Sequence, residues 1–126
     1  MKRTNETELA YLAGYFDGEG CIFISKRGSR VVGIKSCYPK VVQRFHYLYG
    51  GRCDKGLQKS HQLQWRHFFY FRICGEQAVA VIRSIYPFMR EKKEQARLFL
   101  KHSTSKDAYT KAQYAMQIKS LKKVRY

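Results

Sequence analysis

Two carboxylates and three glycines close an apolar helical pattern at Leu12-Ala13-Gly14-Tyr15-Phe16-Asp17-Gly18-Glu19-Gly20, and no other stretch constrains this chain as tightly. Reading backward, Asn5 followed by Glu8 has the form of an N-cap with its capping-box partner. Leu9, Leu12, Ala13 and Phe16 then recur at helical spacing and make one apolar face. Ala10, Gly14 and Gly18 fall every fourth residue and make a stripe of small side chains, over which a second helix can approach backbone to backbone. The glycines at 18 and 20 mark the expected end of the helix, with Glu19 at its exit.

Acids are scarce elsewhere, which makes their placement informative. The chain has 25 Lys+Arg against 9 Asp+Glu, a net charge of +16, yet Glu6, Glu8, Asp17 and Glu19 all lie in the first twenty residues. A chain with 44% hydrophobic and 15% aromatic residues has the material for a core, so the charge belongs to a folded polyanion binder and not to a disordered basic tail. At 126 residues it is expected to form one domain, residues 1–126. Cys21, Cys37, Cys53 and Cys74 form no CxxC pair and have no histidine at zinc-ligand spacing, so four reduced thiols are expected. The longest apolar run, Ala78-Val79-Ala80-Val81-Ile82, is far short of the ~20 residues needed to span a membrane. No signal-peptide core appears, so the protein is expected to work in its compartment of synthesis: a bacterial or phage-host cytoplasm, or an organelle.

After the opening helix, Cys21–Ser25 and Val31–Ile34 read as strands joined by the basic turn Lys26-Arg27-Gly28-Ser29-Arg30. Pro39 opens a second helix, carrying Val41, Val42, Phe45, Leu48 and Tyr49 on one face, and Gly50-Gly51 closes it. A short basic strand spans Arg52 to Gly56, and a loop runs through Lys59-Ser60-His61. From Gln62 to Ile73 the alternation is clear. Leu63, Trp65, His67, Phe69, Phe71 and Ile73 fall on one side, and Gln62, Gln64, Arg66, Phe68, Tyr70 and Arg72 on the other. A third helix starts at Gly75 and stops at Pro87, a fourth covers about Glu91 to His102, and a fifth about Lys106 to Leu121 before a basic tail. The order is αββαββα with helices appended, an α+β arrangement.

The opening motif, LAGYFDGEG, resembles the LAGLIDADG signature of homing endonucleases, and the αββαββα order matches that family too. The resemblance implies a four-stranded antiparallel saddle-shaped sheet with helices on one face. It implies a single-motif enzyme working as a homodimer on double-stranded DNA. Such an enzyme would make double-strand breaks with 3′ overhangs at a long pseudo-palindromic site. The partner's helix would pack on Ala10, Ala13, Gly14, Asp17 and Gly18. Close-packed helices stand ~8 Å apart, a separation suited to phosphates facing across a minor groove ~6 Å wide.

By the same resemblance Glu19 occupies the metal-binding acid position, with Mg2+, or another divalent cation such as Mn2+, as cofactor. Magnesium accepts one or two carboxylates plus substrate phosphates, and it activates water while spreading charge on the phosphorane. Asp17 has the weaker claim, bracing the helix end or acting through hydrogen bonds behind the metal. In Pro87-Phe88-Met89-Arg90-Glu91-Lys92-Lys93, Lys92 matches the family's active-site lysine, with Lys93 next in line. The family's solvent-ordering polar residue after the second strand falls at Lys35-Ser36, with Ser36 the better match. DNA contacts are expected from the sheet face away from the helices and from its hairpins. Its residues would be Ser25, Arg27, Arg30, Lys35, Arg52, Lys55, Lys59, Gln62, Gln64, Arg66, Tyr70 and Arg72. Arg and Gln suit guanine and adenine edges, and most lysines suit phosphate.

Two readings from other classes use the same scaffold: an RNA-splicing maturase and a DNA-binding regulator without catalysis. Loss of the acid at the helix exit would favour either one, and Glu19 is present.

Overall fold

In the computed structural model, residues 1–59 and 65–122 are described, leaving aside the side chains at 58, 59 and 65. The elements run α1 (Glu6–Glu19), β1 (Gly20–Ile24), β2 (Arg30–Ser36), α2 (Pro39–Tyr49), β3 (Arg52–Lys59), β4 (Trp65–Cys74), α3 (Glu76–Ile85), a 3-10 turn (Tyr86–Phe88), α4 (Lys93–Thr104) and α5 (Ala108–Leu121). All strand pairs are antiparallel, in the order β1-β2-β4-β3. This is the α+β, αββαββα arrangement that the sequence implies.

One sheet face carries the core. Ile22, Val32, Ile34, Phe71 and Ile73 are buried there against Leu12, Ala13 and Phe16 of α1, Val42 and Phe45 of α2, and Val81, Ile82 and Ile85 of α3. The register follows from the period of two in each strand. Ile22 faces Val32, and Val32 faces Ile73, so three branched side chains form one layer of the core. Residues one step out of phase (Cys21, Phe23, Val31, Gly33, Lys35, Tyr70, Arg72, Arg52 and Asp54) therefore lie on the opposite, open face.

The capping box at the start of α1 is only half formed. Asn5 Oδ1 accepts from the Glu8 N–H at 2.8 Å, but the Glu8 carboxylate turns away to Thr4 and to α2. There Arg44 Nε and Nη2 donate to it at 2.7 and 2.6 Å, a bidentate clasp between the two helices that holds the Glu8 carboxyl below its usual range. The helix end also departs from expectation. Gly20 sits in extended backbone, φ −81° and ψ 164°, and not in a left-handed cap. Glycine is required there by space, because a Cβ would come within 2.4 Å of the Phe16 ring. At the exit of α2, by contrast, Gly50 and Gly51 have φ of 81° and 77°, where other residues are strained.

The β3–β4 pair is longer than the sequence pattern suggests at its β3 arm, and it outruns the helices. Phe71 and Ile73 are buried, Phe69 is half-buried, and His67 and Leu57 on the same side are exposed. The expected core face is thus a core face only over its C-terminal half. Gln62, Leu63 and Gln64 lie outside the described residues, as do the side chains of Lys59 and Trp65 and the tail from Lys123. Helices α4 and α5 begin two residues later than expected, at Lys93 and Ala108, and Asp107 caps α5 by accepting from the Thr110 N–H at 3.0 Å.

Candidate active site

The site is built where α1 runs into β1. Glu19 is the last residue of the helix and is exposed. It lines a groove of about 450 Å³ on the open sheet face with Cys21, Lys35, Arg52, Phe68, Tyr70 and Arg72. The cations come from three strands, and the alternation that buries Ile34, Phe71 and Ile73 is what aims them there. Among the described residues, Glu19 makes no hydrogen bond or ion pair within the protomer, so both carboxylate oxygens are free to take a ligand.

Asp17, two residues earlier in the helix, is buried and faces inward. Its Oδ2 accepts from the Arg90 N–H at 2.8 Å and its Oδ1 from the Lys92 N–H at 3.0 Å. Lys92 Nζ in turn donates to the Asp17 carbonyl at 2.6 Å. These three bonds clamp the segment after the 3-10 turn to the end of α1. They hold Lys92 against the last turn of α1, whereas Lys93 points away, its Nζ 5.1 Å from the Tyr86 ring centroid. Asp17 is therefore turned into its own protomer and is not part of an exposed interface. Ala13 is fully buried in the core and is likewise withdrawn from the exposed stripe. Ala10, Gly14 and Gly18 are exposed, with nothing within 4 Å of the position a Cβ would take at either glycine.

At the end of β2 the register separates two neighbours. Ser36 is buried on the helix side, bonded to the Tyr15 hydroxyl and accepting from the Tyr38 N–H at 3.1 Å. Lys35 is the polar residue that shares the groove with Glu19, its Nζ 4.3 Å from the Phe68 ring centroid. Ser36 is thus displaced from the solvent-ordering position that the resemblance assigns to it, because β2 continues through residue 36 without a break in alternation.

Of the remaining nucleic-acid candidates, Arg52, Tyr70 and Arg72 lie on the open face, and Arg66 is exposed in phase with them. Arg27 is exposed at the tip of the β1–β2 turn, while Ser25 Oγ closes that turn by accepting from the Ser29 N–H at 3.0 Å. Two candidates fall on the wrong side. Lys55 pairs with Phe69, in phase with the core residues, and so faces the helix side. Arg30 is in phase with Val32 and donates to Glu76 Oε1 at 2.7 Å across the start of α3.

Sequence reading missed one acid. Asp54 stands on the basic face, held below the usual carboxylate range by the Lys55 backbone N–H and then by Arg52 and Tyr70. Its in-phase spacing with Arg52 was the available signal.

The model for the LAGLIDADG-like domain matches residues 6–79, more than half of the chain. The chain belongs to the LAGLIDADG-like domain family. No curated protein matches the sequence. Among solved structures, the chain is similar to the homing endonuclease I-CvuI bound to the I-CreI target in 2 mM Mg, with its DNA not cleaved. The identity is 16% and the TM-score 0.66, covering 95% of this chain and 85% of that one. I-CvuI with its own target in 2 mM Ca gives 17%, 0.67, 94% and 84%. The archaeal intron-encoded homing endonuclease I-Vdi141I, complexed with DNA, gives 14%, 0.71, 96% and 87%. At these identities the likeness is one of fold. The LAGLIDADG match spans α1, the four strands and the start of α3, and so contains Asp17 and Glu19 but not Lys92.

Proposed function

We propose that this protein is a site-specific, divalent-cation-dependent DNA endonuclease that works as a homodimer and makes double-strand breaks. The observation that carries the reading is the carboxylate of Glu19, set at a helix exit without a partner among the described residues, on a sheet face whose other acid, Asp54, is already engaged by Arg52 and Tyr70. Among the described residues no cluster of three or more His, Cys, Asp or Glu exists. One carboxylate per protomer fits magnesium, which keeps several waters and completes its shell with substrate phosphates. When bound, the cation supplies an activated water and a charge clamp on the phosphate. Glu19 would hold it, Lys92 would stand beside the scissile phosphate, and Asp17 would fix Lys92 through the two backbone bonds.

Pairing of two protomers is supported by an energetic oddity of α1. A glycine inside a helix is ~1 kcal/mol less favourable than alanine, and Gly14 and Gly18 both stand on an exposed face where an added Cβ would meet nothing. That cost is without return in the protomer. It is repaid if an identical helix packs across Ala10, Gly14 and Gly18. Exposed Tyr11 on the same helix would be covered as well. Two copies about a two-fold axis imply a palindromic or nearly palindromic target.

The test is incubation of a randomised, barcoded duplex library with the protein in Mg2+, followed by end mapping. Paired cuts with short 3′ overhangs at one near-palindromic sequence are expected. Salt-sensitive binding without any cut would move the protein to a non-cleaving reading.

A further inference from the structure

The fifth helix ends at the active-site edge of the sheet, and its terminal lysine is held there by an aromatic ring. Phe23 lies on the open face of β1, two residues from Cys21, which lines the Glu19 groove. Arg72, which also lines that groove, reaches diagonally over Gly33 so that its guanidinium carbon sits 5.5 Å from the Phe23 ring centroid. Lys122, directly after α5, brings its Nζ to 5.3 Å from the same centroid. One phenyl ring thus carries two cations, one from the sheet and one from the end of α5, and a ring face is a favourable seat for an ammonium.

No ion pair joins Lys122 to an acid among the described residues. Its ammonium is pushed below the usual lysine range by burial first, and Lys92 repels it further while Cys21 acts in the opposite sense. Lys26 and Lys119 line the same cleft between β1 and α5. That cleft is lined by three lysines and no carboxylate.

We propose that Lys122 is a phosphate-binding residue of this site, seated by Phe23 to take a DNA backbone phosphate next to the one that Lys92 and Glu19 address. The inference rests on the endonuclease reading for the identity of the polyanion. A neutralised phosphate contact contributes about 0.9 to the slope of log K against log salt on duplex DNA. Lys122→Met keeps the aliphatic stem on the ring and removes the charge, and Lys122→Arg keeps the charge.

The experiment is binding of duplex DNA at a series of salt concentrations, with single-turnover cleavage of the same duplex and a thermal melt of each variant. Lys122→Met is expected to lower the salt slope by about 0.9 and to slow cleavage, with an unchanged melting temperature; Lys122→Arg is expected to restore both. Phe23→Leu is expected to weaken binding in the wild-type background by more than it does in Lys122→Met. Wild-type cleavage with an undiminished slope and rate in Lys122→Met overturns this inference and leaves the endonuclease reading intact. Binding without cleavage by the wild type overturns that reading, and the slope alone then decides for or against Lys122. A wild type that binds no duplex overturns both.

Discussion

Asp17→Asn tests whether the clamp at the end of α1 is what positions Lys92. Each carboxylate oxygen of Asp17 serves a different backbone N–H, Oδ2 that of Arg90 and Oδ1 that of Lys92, and the side chain is buried. An asparagine offers one oxygen and one NH2, so one of the two N–H groups faces a donor instead of an acceptor. Leaving a buried donor unpaired costs roughly 1–3 kcal/mol, and hydrogen bonds to a charged group are stronger than those to a neutral one by about 1 kcal/mol. Together these give a loss of about 2–4 kcal/mol. For a chain of 126 residues, at about 2.1 cal/mol/K of unfolding entropy per residue, each kcal/mol moves the melting temperature by about 4 °C. A fall of about 8–15 °C is expected. Cleavage measured well below that transition should also be slowed, because Lys92 loses a backbone anchor. A melting temperature within about 2 °C of wild type would show that Asp17 is no clamp, and a full cleavage rate in a protein that has lost the predicted stability would show that the clamp does not position Lys92.

Gly14→Leu separates the two accounts of the small-residue stripe. In an isolated protomer it should raise stability, by about 0.5–1 kcal/mol from helix propensity, whereas with a partner helix on that face it should shift sedimentation equilibrium from dimer to monomer and abolish double-strand cutting. His102 is buried with its Nδ1 unpaired, and burial, then Arg30 and Lys111, push its pKa below the usual histidine value. The unfolded chain therefore binds a proton that the fold refuses, so stability should drop as pH falls below about 6.5. Urea unfolding between pH 5 and 7.5 should show that slope, and His102→Leu should flatten it. Arg72→Ala should lower the salt slope of DNA binding by about 0.9, while Arg30→Ala, whose parent side chain faces Glu76 on the helix side, should leave it unchanged.

Much of this site can be read from the sequence because it follows local rules. The helix before Glu19, the hairpins and the strand alternation are short-range patterns, and the motif register carried Glu19 with it. What the sequence obscured depends on where strands and helices stop. Ser36 is turned to the helix side and Lys35 to the groove because β2 keeps alternating to its last residue. Lys55 and Arg30 are basic strand residues, yet each lies in phase with core residues, so composition pointed to DNA where phase points to the helices. The basic tail shows nothing by itself. Only the packing of α5 across the β1 edge sets Lys122 on Phe23, and that is a tertiary fact. Asp17 carries the same lesson, since its partners at Arg90 and Lys92 stand more than seventy residues away.

On this account, cleavage depends on Glu19 holding the divalent cation. The direct measurement is cleavage of the mapped target by wild type and Glu19→Gln in Mg2+, with binding of the same duplex followed in Ca2+. Loss of cleavage by at least about 100-fold, the scale seen when one preorganised electrostatic partner is removed, with binding retained, is the result expected. Cleavage by Glu19→Gln at the wild-type rate would place the metal elsewhere and contradict the account.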